Sequence, residues 1–151
     1  MDSDTTHKSM TLVEETRVRV ESILMDAYPE YMSFDDGVYA VTRGSTRVMI
    51  SIRPFTAEEC MVECTAHVVA GATITPELMK FLLRKNAEIH LGGFGLLFDD
   101  TIVYSNSVTG THLDRNELIV LVASVAVISD HYDDEIVTMA GGKRASDVTE
   151  L

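Results

Sequence analysis

A chain of 151 residues with 46% hydrophobic content has the length of one domain, able to bury about two thirds of its extended surface without help from disulfide or metal. A formal net charge of −12, with no run of lysines or arginines, repels phosphate backbones and argues against nucleic acid as a partner. Two cysteines, Cys60 and Cys64, and a polar stretch from Met1 to Ser9 with no apolar signal core predict a reducing cytoplasm.

Residues 1–10 read as a flexible tail and 11–142 as a single domain. Thr11 with Glu14 has the form of a capping box, and Val13, Val20, Ile23, Leu24 and Ala27 then recur at helical spacing. Pro29 ends this helix near Tyr28. Asp35-Asp36-Gly37 is a turn, and 38–42 and 46–53 form a hairpin around Arg43-Gly44-Ser45. Val48, Ile50 and Ile52 share one face of its second strand, and Arg47, Met49, Ser51 and Arg53 the other. The strand 60–69 alternates in the same way, with Val62, Cys64, Ala66 and Val68 opposite Met61, Glu63, Thr65 and His67. One side of the sheet is therefore core and the other mixed. Arg47, Met49, Arg53, Met61 and His67 are the expected partner-binding residues on the mixed side, because methionine surfaces and open strands accept extended segments. The two thiols, about 13 Å apart on one strand face, cannot bridge and are expected to be buried small hydrophobes.

Thr75-Pro76-Glu77 opens a second helix with a capping hydroxyl, an early proline and an acid. Its apolar residues sweep roughly 240°, wider than one sheet covers. Asn86 falls inside that arc and needs a hydrogen-bond partner in a neighbouring loop or strand end. Gly92 and Gly93 stop the helix and release a hairpin of 94–98 and 101–108, turned at Asp99-Asp100. Asp114 and Glu117 cap a last helix whose residues 118–128 carry Ser124 as their only polar side chain. That stretch spans about 16 Å against the ~30 Å of a bilayer core, so no membrane span is expected, and the helix needs cover on more than one side. It continues through a polar segment to about Met139. Gly141-Gly142 ends it, and 143–151 reads as a flexible tail. The expected fold is antiparallel α+β with five strands, in the order α-β-β-β-α-β-β-α. The apolar excess on two helices predicts a homodimer, with Phe81, Leu83 and Val122 at its interface.

Catalytic chemistry finds little support. Gly92-Gly93-Phe94-Gly95 follows a helix and enters a strand, the reverse of the order that aims helix-terminal amides at phosphate. His131 stands among Asp130, Asp133, Asp134 and Glu135 without the spacing of a calcium loop, and this cluster reads as a solvated polar face. Cys64 and His67, three apart on a strand, face opposite ways. No catalytic, cofactor-binding or metal-ligating residue is assigned, and the chain is expected not to be an enzyme.

Thr75-Pro76-Glu77-Leu78 leads to Leu83, Asn86 and Ala87, then to Gly93-Phe94-Gly95-Leu96, Gly110, Leu113-Asp114 and Glu117-Leu118, and closes with Asp130-His131-Tyr132-Asp133-Asp134-Glu135. This succession resembles the YbjN-like family of bacterial sensory-transduction regulators, which is grouped with the type III secretion chaperone-like fold. The resemblance implies a small acidic, often dimeric protein that binds other polypeptides and carries no catalytic motif. Two readings follow. One is a non-enzymatic peptide- or protein-binding module, chaperone-like or a regulatory adaptor, acting as a homodimer. The other is a regulatory domain that binds a small molecule between sheet and helices.

Overall fold

The computed structural model describes residues 3–34 and 37–148. Helix α1 spans Ser3–Ala27, so it begins well before Thr11, and the residues expected to form a tail are helical from Ser3 onward. No glycine or proline interrupts the chain ahead of Pro29, and polar residues can extend a helix as readily as end it. Its core stripe is Thr16, Val20 and Leu24, at successive i, i+4 positions. Thr16 joins it because its hydroxyl meets the Cys60 thiol at 2.9 Å. The Arg19 guanidinium donates to the Gly110 carbonyl at 2.9 Å and holds the helix to the far loop.

Among the described residues, seven strands form one antiparallel sheet: β1 Met32–Phe34, β2 Val38–Arg43, β3 Thr46–Pro54, β4 Cys60–Ala70, β5 Gly93–Leu96, β6 Ile102–Thr109 and β7 Lys143–Arg144. The order across the sheet is β1-β2-β3-β4-β6-β5, with β7 pairing with the end of β4. The five-stranded expectation is thus too low. Strands β1 and β7, of three and two residues, are too short to display an alternation. Asp35 and Asp36 of the expected turn lie outside the described residues. Between His67 and Val69 the β4–β6 register shifts by a bulge. The extra residue brings Val68 and Val69 both into buried positions, and Val69 still pairs with Ile102 of β6. On the other edge of β4 the β3 ladder ends at Met49–Thr65, which leaves Val69 and Ala70 open there to pair with Arg144 and Lys143. Residues 143–147, expected to be loose, are therefore a strand followed by a 3-10 turn, Ala145–Asp147, while 149–151 lie outside the described residues.

Helix α2, Pro76–Ile89, starts as its sequence demands: the Thr75 hydroxyl accepts the Leu78 N–H at 3.1 Å, with Pro76 in the first turn. It ends at His90, which takes a left-handed conformation ahead of the glycines. Only Leu78 and Leu82 are buried on it. Asn86 has the role expected of it, its side-chain carbonyl accepting the Phe94 N–H at 2.7 Å and its amide donating to the Phe94 carbonyl at 3.3 Å. This pair ties α2 to the edge strand β5.

Helix α3, Arg115–Ala140, is capped by Asp114, whose carboxylate accepts the Glu117 N–H at 2.7 Å. Leu118, Leu121, Val122, Val125, Ala126 and Ile136 lie on one stripe against the sheet. The all-apolar run is not wrapped on every side, because Val120 and Val127 stay about half exposed. Helices α1 and α3 stack on the face of Val48, Ile50, Ile52, Val62, Cys64 and Ala66, while α2 packs on β5 and α3 and adds Leu78 and Leu82 to the same core.

Candidate functional site: an open sheet face and a hollow beside it

Among the described residues, the alternation that fills the core leaves the opposite face of β3 and β4 without a covering α-helix. Met49 stands across from Thr65, and Arg53 from Met61, in the β3–β4 ladder. Arg47, Met49, Met61 and His67 are half-buried on this face, and Arg53 is exposed. The face continues onto β1, where Met32 and Phe34 are exposed. There the Arg47 guanidinium lies 5.8 Å from the centre of the Phe34 ring and 3.9 Å from the Met32 sulfur. The five residues expected at the partner surface are thus brought onto one face, apolar in its methionines and cationic in its arginines.

The three expected interface residues separate. Leu83 is 68% exposed. Phe81 is half-buried, edge-on to Tyr132 and beneath the Lys85 ammonium. Val122 is 0% exposed, so none of its surface is left for a second copy. Its position within an unbroken apolar run concealed that it belongs to the stripe facing the sheet. Other apolar side chains stand out on α2 and on the hairpin whose first strand it packs against: Met79 on α2, and Leu96, Leu97 and Phe98 at the β5–β6 hairpin.

A hollow of about 440 Å³ opens where the β2–β3 hairpin, α3 and the C-terminal turn meet. Met49 and His67 border it from the sheet, Ser129 and Asp133 from α3, and Ala145 and Val148 from the turn. Asp133, expected on a solvated face, is 6% exposed, and Ser129 is 2% exposed with no hydrogen-bond partner for its hydroxyl. Both could have been found by carrying the Leu118-Val122-Val125 stripe forward at helical spacing, which reaches 129 and 133 before Ile136. Burial is the main cause that raises the Asp133 pKa above its ordinary 3.8, with Asp134 and Asp130 adding repulsion; the Asp134 N–H and Arg144 oppose them.

A carboxyl whose folded pKa is raised is penalised while ionised, and the penalty fades as pH falls through that raised value. Asp133→Asn is therefore expected to stabilise the protein near neutral pH, with the gain shrinking toward the ordinary pKa of 3.8. Urea midpoints of both chains from about pH 7 to about pH 4 check this, and a difference that stays constant or widens on acidification contradicts it.

Cys60 and Cys64 are buried on the core face, and burial pushes the Cys64 thiol far above its usual range. His67 lies on the other face. Among the described residues, no helix is long and apolar enough to cross a membrane.

This α+β arrangement has a solved counterpart. A chain in the crystal structure of the ExsC-ExsE complex superposes with a TM-score of 0.60 at 13% sequence identity, over 82% of this chain and 93% of that one. At such identity the likeness speaks for the fold alone, an antiparallel sheet with three helices. The sequence supplies the rest: the family model described as TY-Chap1, T3SS (YopN, CesT) and YbjN peptide-binding chaperone 1, matches residues 14–148, and the chain belongs to that family. The YbjN-like resemblance read from its joints is thereby established. No curated protein matches the chain in sequence.

Proposed function

We propose that the protein is a non-enzymatic chaperone or adaptor that holds an extended segment of a client polypeptide against the open face of its sheet. The single observation that carries this reading is the asymmetry of the sheet, with three helices on one face and Met49, Met61, Arg47, Arg53 and His67 on the other. Methionine side chains adapt to varied apolar partners, and arginines add hydrogen bonds to backbone carbonyls or acidic groups. Membership in a peptide-binding family and a neighbour solved as the ExsC-ExsE complex support it. The protein is proposed to act as a homodimer through α2 and the β5–β6 hairpin, where Met79, Leu83 and Phe98 present apolar surface that a symmetric contact would cover. The alternative, a small molecule between sheet and helices, has its foothold in the hollow beside Asp133.

The client surface is tested with an array of extended peptides probed by the unaltered protein and by a Met49→Asp, Met61→Asp double variant. Both residues are half-buried outside the core, so the variant is expected to keep its thermal midpoint within a few degrees and to bind at least about tenfold more weakly. An unchanged binding pattern removes the open face from the mechanism.

A further inference from the structure

We propose that the hollow beside α3 is a socket for one lysine or arginine side chain of a bound peptide, with the Asp133 carboxylate as counter-ion; this deepens the peptide-binding reading and rests on it. The polar wall on α3 pairs an unpartnered hydroxyl with a buried carboxylate whose support is the neighbouring Asp134 N–H. The Ser129 hydroxyl is buried without a partner, and Asp133 has been taken out of water beside Asp130 and Asp134. Lysine and arginine heads carry only donors and a positive charge, which answers both needs, whereas an anion would meet the buried carboxylate. Met49, Val68 and Val148 supply an apolar wall for the methylene stem of such a side chain.

The cations already nearby are engaged elsewhere. Arg144 donates to Asp147 at 2.8 and 3.1 Å and to Asp134 at 3.3 Å. Arg47 borders the hollow, but its guanidinium lies over the Phe34 ring at the β1 side. His67 is the remaining titratable group on the rim. The hollow adjoins the open sheet face through Met49 and His67, so a peptide lying on that face passes its mouth.

The test uses the isotope-labelled full chain titrated with N-acetyl-lysine amide, N-acetyl-arginine amide and N-acetyl-norleucine amide, followed by NMR shifts at Ser129, Asp133 and Ala145. The lysine and arginine probes are expected to give saturable shifts, at least tenfold tighter than norleucine, and Asp133→Asn is expected to erase that preference. Equal binding of the three probes, a preference that survives Asp133→Asn, or no saturable shift overturns the socket. The norleucine comparison needs no variant and so decides the matter even if a substitution disturbs the fold. If the probes fail while extended peptides still bind the open face, only the socket falls. If peptides fail as well, the client-binding reading falls with it.

Discussion

Val122→Asp is expected to leave no folded protein, whereas Leu83→Asp is expected to fold with its thermal midpoint nearly unchanged and to halve the mass in solution. Both are apolar residues on apolar helices, and the sequence alone ranked them together. In the structure Val122 is fully enclosed within the core cluster, while Leu83 is 68% exposed. An aspartate at Val122 would lose the burial of the valine and put an unpaired carboxylate into the core. The cost is about 5 kcal/mol or more, comparable with the whole stability of a domain this size. At Leu83 the new charge enters water in the monomer and meets its own copy only in the proposed dimer. Circular dichroism and sedimentation equilibrium at tens of micromolar separate the cases. A soluble, folded Val122→Asp protein contradicts the packing of α3. An unaltered protein that sediments as a monomer contradicts the dimer.

Gly92→Ala carries the second large effect. Gly92 has φ +90°, where an L side chain is strained, and a Cβ there would lie 2.3 Å from the Ser105 carbonyl oxygen and 2.9 Å from Asn106 Cβ. The first of these atoms is backbone in β6 and cannot rotate away. Strain of about 1–3 kcal/mol and overpacking of similar size add, so a loss of roughly 3–5 kcal/mol is expected. The damage should concentrate where α2 turns into β5, next to the Asn86–Phe94 hydrogen bonds and the Tyr104 hydroxyl that donates to the Leu91 carbonyl at 2.5 Å. A fall in urea midpoint, with faster amide exchange at Phe94 than in β3, is the expected signature. A midpoint unchanged within error rules out the tight approach.

Much of this was legible because the strongest signals are local. Thr75-Pro76 and Asp114 cap their helices through their own side chains, and the alternation in β3 and β4 needs no tertiary knowledge to assign faces. The five open-face residues followed from that alternation alone. What escaped depended on distant partners. Strand β7 exists because the β3 ladder stops at Thr65 and leaves Val69 and Ala70 an open edge, and two residues carry no period of their own. Thr16 counts as core through contact with Cys60, forty-four positions away. Ser129 and Asp133 lay in a segment whose polar composition suggested solvent, although the helix phase set by Leu118 turns both inward.

The place of β4 in the sheet bears on how the protein is made. This strand pairs with β3 before it in sequence, but its other long neighbour, β6, follows only after α2 and β5, and α3 comes later still. A nascent chain that has reached residue 110 can form the β2–β3–β4 meander, yet Val48, Ile50, Val62 and Cys64 have no α3 to cover them. During synthesis the part of that row which α1 does not cover is an apolar ribbon open to other chains, the kind of intermediate that aggregates or recruits cellular folding assistance. Yield in a cell should therefore depend on how promptly translation passes residue 140. A slow codon cluster between β6 and the end of α3 should cost more soluble protein than the same cluster placed before β2.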